Sequence, residues 1–406
     1  MAYIVSGVCS LALRVEVGGA MRRECDDAGH APRVRNAVSE QAGLVVQVGT
    51  VHGGVRMASQ RSDDVPVPYE LPGSVNSLVG RESELNELDA LLVESEQAVA
   101  HSAAIVAVVS GTAGVGKTAL ITYWAQQRSD RFSNGQLYVN LRGYGPDDPL
   151  GADQGLAELL RSFGVRHLAH GIDARAKQFR SLAAGRRMLV VLDNASSDEQ
   201  VRTLLPGGSS GLVLVTSRHD LRGLVSRDGA RRISLGLLTD AQSVDLLRAL
   251  IGVRVEEEPA AASALAELCA RLPLALRIVA ELAVSNHDVP LAELVEELAD
   301  ERHRLDLLDA GSDLRTAIRA VFSWSYHALD ADEKRVFRLL GLHTGRTYSV
   351  KGVAALADLD LFLAARMLRS LVRAHLLERA ENRRFRMHDL LRVYALELAL
   401  ASGELA

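Results

Sequence analysis

The stretch Gly111-Thr112-Ala113-Gly114-Val115-Gly116-Lys117-Thr118 decides the fold of this chain. It fits the P-loop pattern G-x-x-x-x-G-K-[ST] at every position. The run 105–110 before it is rich in β-branched and small apolar residues, which predicts a buried strand. Residues 119–125 after it predict a helix. Strand, glycine loop and helix together indicate a loop whose backbone N–H groups surround a bound phosphate.

Two side chains of this loop carry the chemistry. We expect Lys117 to neutralise the β- and γ-phosphates of a nucleotide, and Thr118 to offer its hydroxyl to Mg²⁺. A glycine-rich turn with a chance Lys-Thr pair is the alternative, and the strand and helix on either side argue against it. The stretch therefore predicts ATP or ADP, together with Mg²⁺, as ligands.

Composition narrows the class of protein further. The chain has 406 residues, of which 48% are hydrophobic and 24% charged, as in ordinary globular proteins of two to four domains. Its net charge of −5 gives no general attraction for nucleic acid or anionic membranes. The cysteines Cys9, Cys25 and Cys269 match no metal-binding spacing, and no apolar run is long enough to cross a membrane. We therefore expect a cytoplasmic protein, for which nucleic acid is an unlikely partner.

The order of strands and helices predicts an α/β domain followed by two helical ones. Apolar runs at 136–141, 188–192, 212–215 and 232–235 alternate with helical patterns, which predicts a mostly parallel, five-stranded P-loop NTPase sheet. Helical patterns then dominate, and a charged ribbon at 377–387 is typical of a winged helix. The predicted organisation is a largely disordered segment 1–43, a β-prone motif 44–57, a linker 58–75, a nucleotide-binding domain 76–236, a helical subdomain 237–310 and a winged-helix subdomain 311–400.

Polar residues stand at the ends of two predicted strands. Asp193 follows four apolar residues, so we expect it to hold Mg²⁺ through water, although it would also serve as a helix N-cap. Arg218 ends the next strand and is either a sensor of the γ-phosphate or an ordinary surface arginine. Asn194 follows Asp193 where many P-loop ATPases carry a second acid. Because an amide cannot act as a base, we expect slow hydrolysis at most.

Several motifs in the right order resemble the NB-ARC domain, the nucleotide switch of STAND-class ATPases. They are Val79–Glu82, the P-loop, Leu189–Asp193, Thr216–Arg218, Leu272–Ala275 and Met387–Asp389. This switch is shared with plant disease-resistance proteins and apoptotic protease activators, and the local forms here resemble actinobacterial members.

The resemblance implies roles for residues outside the P-loop. Val79 and Arg81 would border the adenine, Pro273 would pack on the base, and His388 would approach the β-phosphate of ADP. The chain departs from the family at Arg271, where glycine often precedes Leu-Pro-Leu-Ala. The predicted nucleotide-binding residues are thus Val79, Arg81, Gly111, Gly114, Gly116, Lys117, Thr118, Ala119, Pro273 and His388, with Lys117, Asp193 and Arg218 as catalytic residues and Thr118 and Asp193 at the metal.

The β-prone motif 44–57 is the other distinctive segment. It carries no acidic residue and no proline, which favours stacking in register. Within it, Val46-Gln47-Val48-Gly49 is similar to the core of the RIP homotypic interaction motif and to bacterial amyloid signalling motifs. Such motifs template their fold in a separate effector protein. The alternative is a single strand added to the edge of a domain.

These observations favour a nucleotide-driven signalling switch. ADP would hold a closed form, ATP would favour an open one, and open chains would oligomerise and bring their 44–57 motifs together. A DNA-binding regulator that uses the winged helix and its arginines is the first alternative. A metabolic P-loop kinase is the second, although no substrate-binding acid cluster or lid is evident.

Overall fold

In the computed structural model, the apolar runs around the P-loop form a parallel sheet. The structure describes residues 66–75, 78–97, 104–145, 147–208, 211–300, 303–308, 318–343, 345 and 347–404. All of them belong to one unit that runs from Val65 to Ala406. The predicted disordered segment 1–43, the motif 44–57 and the first part of the linker lie outside the described residues. The domain boundaries predicted within the unit stay predictions.

The central sheet has the strand order β2-β3-β4-β1-β5, and every neighbouring pair is parallel. The strand that leads into the P-loop therefore lies between the fourth and fifth strands. The predicted five-stranded P-loop sheet is confirmed. Its strands are β1 Ile105–Gly111, β2 Gln136–Asn140, β3 Leu189–Ala195, β4 Leu212–Ser217 and β5 Arg231–Leu235.

Helices cover both faces of this sheet. Alternate residues of β1 point to opposite sides, so that Val109 packs with Trp124 in one buried cluster and Val108 with Phe179 in the other. This double burial explains why the strands are continuous apolar runs rather than alternating ones. The helices of this half are α1 Glu82–Gln97, α2 Lys117–Gln127, α3 Ala152–Ser162, α4 Ile172–Ala183, α5 Asp198–Thr203 and α6 Arg222–Asp228.

The described residues between β5 and residue 308 contain helices and no strand. A proline begins two of them, where its missing N–H costs nothing. These helices are α7 Asp240–Ile251, α8 Arg254–Glu257, α9 Pro259–Leu268, α10 Pro273–Ser285, α11 Leu291–Ala299 and α12 Arg304–Leu307.

The last described part combines helices with a small antiparallel sheet. Its strands have the order β6-β8-β7, and the charged ribbon of the sequence supplies two of them. The winged-helix interpretation stays a prediction. The elements are α13 Ile318–His327, α14 Ala331–Leu342, β6 Thr347–Tyr348, α15 Val350–Ala357, α16 Leu361–Arg373, β7 Glu378–Arg379, β8 Phe385–Arg386 and α17 Asp389–Ala401.

Helices α14 and α17 cross closely at Gly341. A Cβ atom at this position would lie 2.5 Å from the backbone nitrogen of Leu396. Replacing Gly341 by leucine should therefore force the helices apart and lower the free energy of unfolding by about 3 kcal/mol. Chemical denaturation followed by circular dichroism measures this loss. Gly73→Ala is the control, because a Cβ there meets nothing within 4 Å, and equal stability of the two variants would contradict the prediction.

Candidate functional site

A cleft of about 580 Å³ opens where the P-loop meets the ends of the parallel strands. Residues 113–119 line one wall, and Asp193 and Arg218 come from the ends of β3 and β4. Pro273 of α10 and Trp324 of α13 face the same space. Segments from three parts of the described chain thus meet at one cleft.

Glycine is needed at the three P-loop positions for different physical reasons. Gly114 and Gly116 have φ angles of 77° and 97°, in the left-handed region that favours glycine. Gly111 does not line the cleft. Instead, a Cβ on Gly111 would lie 2.5 Å from the carbonyl oxygen of Leu235, so this glycine allows β5 to pack beside β1.

Lys117 begins helix α2 and turns back over its own loop. Its Nζ donates to the carbonyl oxygens of Gly111 and Thr112, both at 2.9 Å. Burial and, to a smaller extent, the charge of Arg218 lower the pKa of Lys117 to about 7, while Asp193 acts in the opposite direction. An anion in the cleft would restore the charge of this ammonium group.

Asp193 accepts hydrogen bonds from three hydroxyl groups. Thr118 Oγ1 and Tyr138 OH lie 2.9 Å from its carboxylate, and Thr216 Oγ1 also donates to it. The structure thus brings together Thr118 and Asp193, the two residues predicted at the metal. Among the described residues, no group of three or more His, Cys, Asp or Glu side chains is placed to hold a metal ion. A single carboxylate with a hydroxyl suits Mg²⁺ that also binds phosphate oxygens and water.

Asn194 has a structural role that its sequence position did not reveal. Its φ is 60°, a conformation that asparagine tolerates better than most residues. Its side chain donates to the carbonyl oxygen of Tyr144 at 2.7 Å, and its backbone N–H donates to Thr216 Oγ1 at 2.8 Å. Asn194 therefore fixes the loop after β2 against the end of β3.

Val79 and Arg81 line the cleft, as does Pro273. Arg81 is 5% exposed and donates to the carbonyl oxygens of Val115 and Gly236 at 3.2 and 2.8 Å. It also pairs with Glu84 at 3.2 Å, and burial lowers its pKa. Arg81 therefore ties the segment before α1 to both the P-loop and the end of β5.

Helix α10 reaches the P-loop through its own backbone. The N–H of Leu274 donates to the carbonyl oxygen of Gly114 at 3.2 Å. Arg271 before it has a φ of 57°, in the left-handed region that favours glycine. The chain accepts an arginine there, and its side chain pairs with Asp240 at 2.8 Å.

Arg218 lines the cleft and its guanidinium group contacts helix α13. Its Nη1 donates to the carbonyl oxygen of Val321 at 2.6 Å and to Ser325 Oγ at 2.9 Å. Its guanidinium carbon also lies 5.0 Å from the ring centre of Tyr144 and 5.5 Å from that of Trp324. Burial lowers the pKa of Arg218 to about 10, so the group stays charged at neutral pH.

His388 does not line the cleft in this structure. It is the N-cap of α17, where its Nδ1 accepts from the N–H of Leu391 at 3.3 Å. Its ring packs against Phe322, with centroids 5.6 Å apart, and among the described residues its buried Nε2 has no hydrogen-bond partner. Burial lowers the pKa of His388 to about 3, so the imidazole is neutral. The predicted approach of His388 to a phosphate stays a prediction.

Sequence reasoning missed several residues of the cleft. Tyr138 follows the same rule that found Asp193, because it lies near the carboxyl end of a predicted strand. Trp324 and Arg277 gave no local signal, since only the fold of distant helices brings them to the P-loop. The other cleft residues that were not predicted include Leu78, Asn140, Tyr144, Asp147, Thr216, Ser217, Leu246 and Leu274.

The fold and the P-loop cleft define the chain as a protein of the P-loop NTPase fold. It is similar to a solved Walker-type ATPase of Pyrococcus abyssi, with a TM-score of 0.50, 13% identity and coverage of 82% of this chain and 99% of that one. This likeness shows the fold. No protein-family model matches the chain.

Two other proteins are similar to this chain in amino-acid sequence. The regulatory protein AfsR of Streptomyces griseus is 38% identical over 336 residues, which are 81% of this chain and 33% of AfsR. The disease resistance-like protein DSC1 of Arabidopsis thaliana is 24% identical over 344 residues, 81% of this chain and 26% of that protein. The chain thus spans about a third or less of the length of these relatives. None of its described helices is long and apolar enough to cross a membrane.

Proposed function

We propose that this chain is a nucleotide-dependent regulatory switch that binds ADP and ATP with Mg²⁺ and hydrolyses ATP slowly. The observation that supports it is the meeting of the P-loop, α10 and α13 at one cleft. A nucleotide there would contact all three, so its identity can bias their arrangement. The similarity to the regulatory protein AfsR agrees with this proposal.

The charged groups of the cleft fit a nucleotide phosphate chain. The residues lining it include two acids, Asp147 and Asp193, and five cationic side chains, Arg81, Lys117, Arg142, Arg218 and Arg277. In addition, α2 begins at Lys117, so its first N–H groups are directed toward the loop. This donor set suits an anion of several charges.

We propose the following roles for the predicted residues that line the cleft. Lys117 would neutralise the β- and γ-phosphates, Thr118 and Asp193 would hold Mg²⁺, and Arg218 would sense the γ-phosphate. Val79, Arg81 and Pro273 would border the base. Hydrolysis would be slow because Asn194 cannot act as a base and is committed to Tyr144.

Nucleotide binding by the purified chain tests this proposal. We expect ADP and ATP each to bind one site per chain in isothermal titration, with Mg²⁺ strengthening the binding of ATP. We also expect a non-hydrolysable ATP analogue, and not ADP, to increase the mass measured by light scattering. The proposed switch would be contradicted if the chain binds neither nucleotide, or if its mass in light scattering is the same with either nucleotide.

The proposed output is stacking of residues 44–57, which would template the same fold in an effector protein. The support is the composition and the tetrad of this segment alone. In the full chain with the ATP analogue, Val48→Asp should abolish thioflavin fluorescence, because a buried charge opposes in-register stacking. Ser62→Asp in the linker is the control. Unchanged fluorescence in Val48→Asp would favour the single edge strand.

DNA binding is the second candidate function. Arg379 and Arg383 are exposed on the β7–β8 ribbon, which favours contact with a polyanion. Against this, Arg386 pairs with Glu378 at 3.2 Å and Arg384 donates to Thr347 Oγ1 at 2.8 Å. Retention of the chain on duplex DNA at increasing salt tests this function. Salt-sensitive retention that is lost in the double variant Arg379→Ala, Arg383→Ala would support DNA binding over the switch.

A further inference from the structure

Arg218 is held by a set of neutral partners on helix α13. Within the described part of the chain, it donates hydrogen bonds to the backbone carbonyl of Val321 and to the hydroxyl of Ser325, which is 4% exposed. Its guanidinium group also lies over the aromatic rings of Tyr144 and Trp324. Among the described residues no carboxylate pairs with it. The charge is therefore buried without an opposite charge, which is a costly arrangement.

An anion would compete well for such a group. Hydrogen bonds from a guanidinium to a phosphate oxygen are shorter and stronger than those to a neutral carbonyl or hydroxyl. Arg218 lines the same cleft as Lys117 and Thr118, on the side of the P-loop where the strands β3 and β4 end. The terminal phosphate of ATP and helix α13 would thus be alternative partners of Arg218.

We propose that helix α13 competes with the γ-phosphate for Arg218, so that Ser325 and Trp324 set the preference of the site between ADP and ATP. This inference rests on the proposed function, because it needs a nucleotide in the cleft. ADP has no γ-phosphate and leaves Arg218 on α13. ATP draws Arg218 away, so its affinity is reduced by the free energy of the contacts it must break.

The competition would reach the C-terminal part of the chain through Phe322. This residue follows Val321 on α13 and packs on the rings of His388 and Tyr394, with centroids 5.6 and 6.0 Å away. Both rings belong to the start and the body of α17. Release of Arg218 therefore removes one of the contacts that hold α13, and through it α17, beside the cleft.

A variant that lacks a single hydroxyl group tests the proposal. Ser325→Ala removes one acceptor of Arg218, so it should raise the affinity for ATPγS relative to ADP about 3- to 10-fold. Isothermal titration of the full chain with each nucleotide measures the ratio. Ser323→Ala is the matched control, because Ser323 lies on the same helix and donates to Ala320 of that helix. It should leave the ratio unchanged.

A double-mutant cycle identifies Arg218 as the link. In an Arg218→Ala background, Ser325→Ala should no longer change the ratio of ATPγS to ADP affinity, because the competing group is gone. Trp324→Leu should act in the same direction as Ser325→Ala in the parent and should likewise have no effect without Arg218.

The outcomes separate this inference from the proposed function. If the parent binds neither nucleotide, the proposed function fails. If both nucleotides bind and Ser325→Ala and Trp324→Leu leave the ratio as in Ser323→Ala, the competition is wrong while the switch stands. An equal effect of Ser325→Ala with and without Arg218 would also overturn it.

Discussion

Replacing Lys117 by alanine should weaken the binding of both ADP and ATP by about 100-fold or more. The ammonium group lies on the carbonyl oxygens of Gly111 and Thr112, inside the loop that would hold the phosphates. Its low pKa of about 7 arises from burial, so a phosphate chain supplies the opposite charge that the group lacks. Fluorescence titration with a labelled ADP measures the loss.

Lys177 offers a matched control for this variant. It is an exposed lysine on α4, far from the loop in sequence, so Lys177→Ala should bind nucleotides as the parent does. Circular dichroism checks that both variants are folded. Tight ADP binding by a folded Lys117→Ala protein would show that the P-loop is not the nucleotide site.

Replacing Asp193 by asparagine should remove the effect of Mg²⁺ on nucleotide binding and lower ATP turnover by about 100-fold. The carboxylate accepts from Thr118, Tyr138 and Thr216, and asparagine keeps the size of the side chain and one acceptor oxygen. The hydroxyl of Tyr138 can rotate to accept from the new amide. We therefore expect the free energy of unfolding to fall by about 1 kcal/mol only.

Titrations with ATP in Mg²⁺ and in EDTA check this expectation. In the parent the two affinities should differ, and in Asp193→Asn they should be equal. Asp173→Asn changes an exposed carboxylate of α4 and is the control. A metal effect of parental size in a folded Asp193→Asn protein would remove Asp193 from the metal site.

Local patterns were sufficient to predict the sheet and the wall of the cleft formed by the P-loop. A run such as 105–110 is buried on both faces, so its composition alone identifies a central strand. The end of such a strand locates Asp193, because the carboxyl ends of parallel strands meet at one edge. These inferences depend on neighbours in sequence, and the structure confirms the strands.

Contacts between distant segments were beyond the reach of those patterns. Nothing near Arg218 in sequence indicates that its partners are Val321 and Ser325, more than a hundred residues away. His388 is a similar case, since the burial of its Nε2 depends on how α13 and α17 pack. Gly111 matched a motif for ligand binding, yet its contact with Leu235 gives it a packing role.

The hydrogen bond from Leu274 N–H to the Gly114 carbonyl joins α10 to the P-loop through main-chain atoms alone. This hydrogen bond is insensitive to most amino-acid exchanges at position 274, because every residue except proline has the N–H. An alanine at position 274 would therefore leave this hydrogen bond in place. A side chain at Gly114, in contrast, would lie 3.1 Å from Leu274 Cβ. At position 274, only a change to the backbone itself, such as proline or an ester bond, would break the hydrogen bond.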